Sequence, residues 1–456
     1  MDFSHIRSIY FIGIGGAGVS GLARTAKQHG KIVMGSDGAA SAVTTALQKE
    51  GITVHVPQQA SNVPLDYDLY VYSDAVQPTN PERQVLSDHK LESRTMSYFR
   101  AVGELMKVYQ HRIAVSGTHG KTTTTAMLTL VLASAGYDPT SIVGSTIKAL
   151  GSNVRVGQDK QNFIIEACEY RAHMLELHPN VVLITNIEED HLDYYRDLEH
   201  IQMTFQRYLD LLPSDGIFVR NVDDSESQEL GFDGTVVSYG IHAPADYVAT
   251  DIQKSGHQQS FVVDGHRYTI HVPGDFNIYN ALAVIAYARY LAITPKAIQA
   301  GLDQFTGTWR RFELVGKYRE ADVISDYAHH PTAITSTLKA AREWYPNRRI
   351  LIVFQPHQHN RTKRLFNGFT AAFDQADLTI IQEIYDVAGR EAAEDQSVSS
   401  HDLVSAIEQR GKMVLYSKDN KQTLQLLAEH VEANDVVLIV GAGDVYQVAE
   451  QVCSKA

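Results

Sequence analysis

The most informative stretch of the sequence covers residues 116–123, Ser116-Gly117-Thr118-His119-Gly120-Lys121-Thr122-Thr123. The apolar run His111–Val115 before them predicts a strand end, and the Ala, Leu and Met content of Thr122–Ala135 predicts a helix. Strand, glycine turn and helix in this order form a cradle for nucleotide phosphates, because backbone N–H groups face the phosphate oxygens. Lys121 can reach the terminal phosphates and Thr122 can ligate Mg²⁺, so the stretch indicates use of ATP. Val115 stands where the general pattern has glycine, so the match is a variant.

A second glycine turn follows the predicted strand at residues 6–14. It reads Gly13-x-Gly15-x-x-Gly18, opens a predicted helix over Val19–His29, and is followed about 20 residues later by Asp37. This pattern is typical of dinucleotide binding. Two other interpretations stay open, which are a diphosphate site for another nucleotide such as a UDP-sugar, and a turn that only lets helix and strand pack closely.

Acidic residues follow two further predicted strands of the middle region, Asn162–Glu166 and Val181–Asn186. Loops at the carboxyl ends of parallel strands collect ligands, so Glu166 could hold Mg²⁺ together with Thr122 if their strands are neighbours. His191, within the run 188–193, is a candidate for a second Mg²⁺ position, although Mg²⁺ prefers oxygen ligands. The alternative for each acidic residue is a solvated loop carboxylate.

Polar groups also cluster later in the chain. Asn277 and Asn280 are three residues apart at a predicted helix start, where both could face a ligand or Asn277 could cap the helix. The segments 310–313, 326–331 and 354–362 supply arginine, carboxylate and imidazole groups, and arginines suit a carboxylate or phosphate. The histidines of 354–362 are better read as substrate-facing or solvated than as metal ligands.

Length and composition describe an ordinary globular protein. The chain has 456 residues, more than one core usually supports, and a net charge of -13, which disfavours nucleic acid or an anionic membrane as the main partner. Cys168 and Cys453 are the two cysteines, which fits a reducing compartment, and Cys168 is expected to be a small semi-buried residue. No secretory leader or membrane-spanning run is evident, so we expect a cytoplasmic protein without membrane insertion.

The order of apolar runs predicts an α/β protein with three domains. The boundaries expected from the pattern are 1–108, 109–313 and 314–456. A β-rich insertion is predicted at 235–272, a helix over Asn277–Leu291, and, in the last domain, five strands alternating with helices such as Pro331–Trp344 and Thr362–Phe373.

Taken together, these segments resemble the Mur ligase family from about Ile6 to Val452. The resemblance is carried, in order along the chain, by Gly13-Ile-Gly-Gly-Ala-Gly18, Gly117-Thr-His-Gly-Lys-Thr-Thr-Thr-Thr125, Thr185-Asn-Ile187 with Asp190-His191, Arg310-Arg-Phe312, Asp326-Tyr-Ala-His-His-Pro331 and Phe354-Gln-Pro-His357. It implies a Rossmann-like N-terminal domain that holds a UDP-sugar, a central P-loop ATPase-type domain with a mostly parallel sheet, and a Rossmann-like C-terminal domain that binds the amino acid and closes over the site.

The activity implied by the resemblance is ATP-dependent amide formation in peptidoglycan precursor synthesis. In the branch with the most similar motifs, the carboxylate of UDP-N-acetylmuramate attacks the γ-phosphate of ATP, and the amine of L-alanine then displaces phosphate from the acyl phosphate. The implied cofactors are ATP and Mg²⁺, and a monomer or weak homodimer is expected. An NAD-dependent oxidoreductase would leave Gly117–Thr123 without a role, and a scaffold without catalysis would leave Lys121, Thr122, Glu166 and His191 without one.

The resemblance also assigns residues to roles. Catalysis would use Lys121, Glu166 and His191, with Thr122, Glu166 and His191 as metal ligands. ATP would be bound by Gly117, Thr118, His119, Gly120, Lys121, Thr122, Thr123, Asn280, Arg311 and Asp326. The UDP-sugar would be bound by Gly13, Gly15, Gly16, Ala17, Gly18, Ser36, Asp37 and Ser73, and the amino acid by Tyr327, His330 and Arg361, with Arg361 pairing with its carboxylate.

Two segments depart from the pattern of many family members. Cys168-Glu169-Tyr170-Arg171 stands where Asp-Glu-Ser-Asp is common, and Gln358 stands where arginine is frequent. A related recycling ligase, which attaches a whole tripeptide to the same sugar nucleotide, shares Glu-x-x-Glu-Tyr in the first of these segments. A tripeptide acceptor is therefore the near alternative to L-alanine.

Overall fold

The computed structural model describes residues 3, 5–192, 194–386 and 397–454. The chain forms two compact units, the first made of 1–187, 201–248 and 282–304, and the second of 188–200, 249–281 and 305–456. Among the helices in the described parts of the chain, none is both long enough and apolar enough to cross a lipid bilayer.

The first unit begins with a five-stranded parallel sheet in the order β3-β2-β1-β4-β5. Its strands are β1 Ser8–Ile12, β2 Ile32–Ser36, β3 Thr53–His55, β4 Leu69–Tyr72 and β5 Thr95–Ser97. The helices that accompany them are α1 Ala17–Gln28, α2 Ala42–Lys49, α3 Pro81–Asp88 and, after β5, α4 Tyr98–Met106. The part β3-β2-β1 has the order of a mononucleotide-binding Rossmann half, and the strand order reverses between β1 and β4, the point at which such sheets form their ligand crevice.

The first unit also contains an eight-stranded sheet, in the order β13-β12-β11-β10-β6-β9-β7-β8, in which β8 is antiparallel. The strands are β6 His111–Ser116, β7 Thr140–Ile147, β8 Ser152–Arg155, β9 Asn162–Glu166, β10 Val181–Ile184, β11 Ile217–Asn221, β12 Thr235–Gly240 and β13 Tyr247–Val248. Three helices accompany them, α5 Lys121–Ser134, α6 Leu198–Leu209 and α7 Ser225–Gln228. α5 is buried along nearly its whole length, which explains its uniformly apolar and threonine-rich sequence.

The predicted insertion at 235–272 is divided differently from the expectation. β12 and β13 extend the parallel sheet, and only β14 Thr250–Lys254, β15 Gln259–Val263 and β16 His266–Ile270 form a separate antiparallel sheet, in the second unit. Two helices follow, α8 Asp275–Tyr290, which belongs to the first unit from residue 282 onward, and α9 Pro295–Gln304, which belongs to the first unit throughout.

The second unit also contains a six-stranded sheet in the order β17-β18-β22-β19-β20-β21, with β17 antiparallel. Its strands are β17 Glu313–Tyr318, β18 Ala321–Asp326, β19 Ile350–Phe354, β20 Leu378–Gln382, β21 Val414–Ser417 and β22 Val436–Val440, and its helices are α10 Pro331–Trp344, α11 His359–Arg364, α12 Phe366–Ala372, α13 Ser400–Gln409, α14 Asn420–His430 and α15 Tyr446–Ser454. Alternate residues of β22 enter two separate apolar clusters, one on each face. A strand buried on both faces reads as a continuous apolar run, so its prediction from sequence was straightforward.

The helix predicted over Thr362–Phe373 is two helices, so that expectation is wrong. Leu365 has φ -101° and ψ 17° and separates α11 from α12. Leu365 and Phe366 both pack against the apolar cluster beneath β19. The break therefore falls at two side chains that are partly buried against the core.

Candidate active site

The turn between β6 and α5 has a backbone conformation that strongly favours glycine at two positions. Gly117 has φ +128° and Gly120, which precedes the helix, has φ +86°. A Cβ on Gly117 would lie 2.1 Å from Thr185 Oγ1. Both positive φ values and this close approach explain the spacing of the two glycines.

The loop after β10 holds this turn in place. Asn186 accepts the Thr118 N–H through its carbonyl at 2.9 Å and the His119 N–H through its Oδ1, also at 2.9 Å. Its side-chain amide donates to the His119 carbonyl at 3.1 Å. The cradle is therefore a preformed loop, fixed by a residue 67 positions away from His119.

Lys121 turns back over the cradle. Its ammonium donates to the carbonyls of Gly117 and Thr118 and forms an ion pair with Glu169 at 2.8 Å, with side chains that are 12% and 5% exposed. Burial disfavours the charged form, but the carboxylates of Glu169 and Glu166 raise the pKa of Lys121 above its ordinary value. The lysine is therefore a fixed positive charge at the mouth of the phosphate cradle.

Glu166 lies beside the cradle because β9 is the neighbour of β6, with Glu166 in register with Val115. The Thr122 hydroxyl donates to both carboxylate oxygens, at 2.9 and 3.0 Å, and the Gly144 N–H donates to Oε2 at 2.9 Å. A hydroxyl and a carboxylate at this separation supply oxygen ligands, which Mg²⁺ prefers. The donor set of Thr122 and Glu166 therefore fits a magnesium ion.

Cys168 follows this carboxylate in the segment that departs from the family pattern. Burial raises the pKa of its thiol to about 12. Burial thus disfavours the thiolate, which is the nucleophilic form of a cysteine.

The glycine turn at Gly13–Gly18 joins β1 to α1, as predicted. The Gly13 N–H donates to the Ser36 carbonyl, and the Gly15 N–H donates to Asp37 Oδ2 at 2.8 Å. Gly16 is the residue before α1, and a Cβ on Gly18 would lie 2.5 Å from the ring of Tyr98. Asp37 thus shapes the turn, and Gly18 permits close packing of the helix.

Ser36, Asp37 and Ser73 lie at the carboxyl ends of β2 and β4, at the same edge as this turn. The Ser36 hydroxyl donates to Glu82, a fully buried carboxylate on α3. A Cβ on Gly13 would lie 2.9 Å from Ser73 Cβ. Ala17, the first residue of α1, accepts the side-chain amide of Asn153 through its carbonyl at 2.7 Å.

In the second unit, Asn277 and Asn280 face each other within the first turns of α8. The Asn280 amide donates to Asn277 Oδ1 at 3.0 Å, and the Asn277 amide donates to the Pro273 carbonyl at 2.7 Å. The helix begins at Asp275, so the alternative in which Asn277 caps the helix is wrong. Asn280 is buried at this pair.

Asp326, at the end of β18, accepts the N–H groups of Phe312 and Ala328, each at 2.7 Å. Burial raises the pKa of this carboxyl, and the nearby guanidinium of Arg311 opposes the rise. The Arg311 guanidinium also lies 5.0 Å from the ring centroid of Tyr327, within cation–π range. Asp326, Arg311 and Tyr327 therefore form one polar cluster.

His330 caps a helix, whereas Arg361 forms an ion pair. His330 precedes α10, and its Nδ1 accepts the Thr332 N–H at 3.4 Å, so the histidine caps the helix. Arg361 forms an ion pair with Asp190 at 2.9 Å, with side chains that are 10% and 8% exposed. Burial alone would raise the pKa of Asp190, but His191 and Arg361 hold it well below its usual range.

His191 has φ +54°, and its imidazole Nε2 lies 3.9 Å from Asp190 Oδ2. Asp190, His191 and Arg361 line a pocket whose wall also contains residues of α11 and the loops beside it, namely Glu189, Leu192, Gln358, Asn360, Arg364 and Leu365. A guanidinium, a carboxylate and an imidazole at the rim of one pocket suit a small zwitterion.

Sequence reasoning missed four polar residues that organise these groups: Glu169, Asn186, Glu82 and Asp190. Glu169, Asn186 and Asp190 stand within the motifs described above, but the motifs assign them no role. Each acts through a partner more than 40 positions away in the chain. Their roles depend on strand order, which no local pattern encodes.

A preformed cradle with a buried lysine and a carboxylate beside it defines a nucleotide-phosphate-binding protein. Three family descriptions match the chain: "Mur ligase family, catalytic domain" over 8–110, "Mur ligase middle domain" over 115–288, and "Mur ligase, glutamate ligase domain" over 310–443. The chain belongs to the Mur ligase family, which confirms the resemblance predicted from sequence.

Its relatives include the UDP-N-acetylmuramate–L-alanine ligases of Caldanaerobacter subterraneus subsp. tengcongensis and Lachnospira eligens, both 40% identical. Each alignment covers 99% of this chain and 98% of the relative. The crystal structure of UDP-N-acetylmuramate-alanine ligase from Thermotoga maritima is similar with a TM-score of 0.82 and 28% identity, over 99% of both chains. The predicted α/β fold class is thereby confirmed.

Proposed function

We propose that this chain joins L-alanine to the lactyl carboxylate of UDP-N-acetylmuramate in peptidoglycan precursor synthesis, with ATP as the energy source. The observation that carries the proposal is 40% identity to UDP-N-acetylmuramate–L-alanine ligases over 99% of the chain. The reaction would take place in the cytoplasm, on a monomer or weak homodimer, without nucleic acid or membrane as partner.

The proposed reaction has two steps. The substrate carboxylate attacks the γ-phosphorus of ATP, the bond to ADP breaks, and an acyl phosphate forms. The neutral amine of alanine then attacks the acyl carbon, and inorganic phosphate leaves. Lys121 stabilises the charge on the transferred phosphoryl group, and the cradle N–H groups orient the nucleotide.

One Mg²⁺ bound by Thr122 and Glu166, and a second Mg²⁺ bound at His191, would neutralise phosphate charge. The remaining assignments follow the same proposal by domain. Residues 1–108 bind the UDP-sugar through the glycine turn, Ser36, Asp37 and Ser73. Residues 109–313 bind ATP, with Asn280 and Arg311 as further contacts. Residues 314–456 contribute Asp326 to ATP binding and bind the amino acid through Tyr327, His330 and Arg361.

Phosphate release from ATP by the purified protein tests this function. With Mg²⁺ and UDP-N-acetylmuramate, release should be fastest with L-alanine, compared with glycine, L-serine and the stem tripeptide. Omitting the sugar nucleotide should abolish release. A preference for the tripeptide would assign the chain to the recycling reaction, and absence of release with every acceptor would contradict a ligase function.

A further inference from the structure

The side-chain amide of Gln58 is held in one orientation by a chain of hydrogen bonds. Asn80 precedes α3, and its Oδ1 accepts the Glu82 N–H at 3.0 Å. The Asn80 side chain must therefore present its amide nitrogen to Gln58, where it donates to Oε1 at 2.8 Å. The Nε2 group of Gln58 consequently points away from Asn80.

This Nε2 group is buried, and it has no hydrogen-bond partner among the residues that the structure describes. An unpaired buried donor is unfavourable, so such a group in a rigid setting points to a ligand acceptor. The setting here is rigid, because the Gln59 N–H and the Asn62 amide both donate to Glu82 Oε1 at 3.0 Å.

The position of Gln58 places it at the base end of a nucleotide bound to the first sheet. In a strand–glycine turn–helix unit the diphosphate lies at the helix N-terminus, and the ribose lies beside the acidic residue after the second strand. The base extends beyond the ribose, toward the third strand. Gln58 follows β3 by three positions, and its Oε1 lies 3.9 Å from the place of a Cβ on Gly38, directly after Asp37.

We propose that Gln58 Nε2 donates a hydrogen bond to the O4 carbonyl of the uracil base and thereby selects uridine over cytidine nucleotides. Uracil carries an acceptor at this position, whereas cytosine carries an amino group that would face the Gln58 donor without bonding to it. O4 is the carbonyl far from the ribose, on the side where Gln58 lies. This inference rests on the proposed function, because it takes the first sheet as the UDP-sugar site.

Gln58→Glu is the matched test, since it keeps an oxygen for Asn80 and replaces the donor with an acceptor. Titration calorimetry on the full-length protein would compare UDP with CDP. The wild type should prefer UDP by about tenfold or more, the worth of one hydrogen bond gained and one lost. In the variant the preference should disappear or reverse, because a carboxylate accepts from the cytosine amino group. The readout is the ratio of the affinities for UDP and CDP, because the added negative charge weakens the binding of both nucleotides alike.

Gln48→Glu is the control, because Gln48 Nε2 donates to the Val54 carbonyl in β3 at 3.1 Å. It should lower the melting temperature and leave the ratio unchanged. If Gln58→Glu fails to fold, Gln58→Met removes the donor without adding charge and should also abolish the preference.

An unchanged UDP-to-CDP ratio in a folded Gln58 variant would overturn the role of Gln58, as would equal binding of UDP and CDP by the wild type. Failure of the wild type to bind UDP at all would overturn the UDP-sugar site itself, and with it the proposed function of the first sheet. The two failures are therefore distinguishable.

Discussion

The guanidinium of Arg361 and the carboxylate of Asp190 form a nearly buried ion pair, with Nη2 and Oδ1 2.9 Å apart. His357 Nδ1 lies 3.3 Å from the other terminal nitrogen of Arg361. The arginine proposed to bind the carboxylate of the amino acid is therefore already oriented by a carboxylate of the protein. Asp190 fixes the direction of the guanidinium fork before substrate arrives.

Arg361→Lys is expected to raise KM for L-alanine by about tenfold or more, because a lysine keeps the charge and loses the planar fork that pairs with a carboxylate. KM for ATP should stay within about twofold, because the change is confined to the acceptor. Steady-state phosphate release with each substrate varied in turn gives both values. Arg364→Lys is the control, because Arg364 lines the same pocket from the exposed side of α11. An unchanged KM for L-alanine in the Arg361 variant would refute the assignment.

Lys121→Met should lower kcat for phosphate release by about a thousandfold or more, since it removes a charge from the transferred phosphoryl group. Affinity for UDP should not change. The single variant also leaves the buried Glu169 without its cation, which is strongly destabilising.

The double variant Lys121→Met/Glu169→Gln separates these effects. It should recover much of the lost melting temperature and none of the lost turnover. Lys107→Met, which breaks an exposed pair with Glu104, should affect neither quantity. Turnover near the wild-type rate in the double variant would show that Lys121 stabilises the loop and does not act on phosphate.

Gly117→Ala should abolish ATP binding and destabilise the protein by about 3 kcal/mol or more, because the added methyl collides with Thr185 and φ is +128°. Gly136→Ala is the matched control. Gly136 also has a positive φ, +87°, but nothing lies within 4 Å of an added Cβ. It should cost only about 1 kcal/mol, the strain of the backbone alone. Equal losses in chemical denaturation would mean that the contact with Thr185 is unimportant.

Low pH should lower the free energy of unfolding of the five-stranded sheet, because Asp68 becomes protonated. Its Oδ2 accepts the N–H groups of Arg7 and Ser8 at 2.8 and 3.0 Å, and the Arg7 N–H holds the pKa of the Asp68 carboxyl below its ordinary value. A lowered pKa contributes stability that is complete above the unfolded-state value, about pH 4, and is lost as pH falls through the folded-state value.

Asp68→Asn should therefore lower the free energy of unfolding by about 1 kcal/mol at pH 7, with the difference from wild type shrinking below about pH 4. Urea denaturation at a series of pH values measures this. Asp66→Asn is the control, because Asp66 is an exposed carboxylate two positions away. A difference that stayed constant down to pH 2 would contradict the role of the charge.

The strands and the two glycine turns could be predicted because their signals are local. β22 is apolar throughout since both faces are buried, and Gly117 and Gly120 stand where the chain must adopt positive φ. The break at Leu365 could not be predicted, because a helical pattern continues through it and only packing against the core interrupts it.

The partners of the site residues could not be predicted from the sequence either. Lys121 was recognisable from its position after Gly120, but its pairing with Glu169 requires β9 to lie beside β6. The orientation of Gln58 requires Asn80, 22 positions later, to be committed to the start of α3. Residue type predicts which interactions a side chain can make, whereas the order of strands determines the partner with which it makes them.

The ammonium of Lys121 is enclosed by two carbonyls and a carboxylate. When a phosphate binds, Lys121 therefore exchanges the carboxylate of Glu169 for a phosphate oxygen. The incoming phosphate does not meet an unpaired positive charge. Such a site gives little long-range attraction, so the speed of nucleotide capture should depend only weakly on ionic strength. Discrimination between nucleotides would then depend on the rate at which each dissociates. Residence time is therefore the property to optimise in an inhibitor that binds this loop.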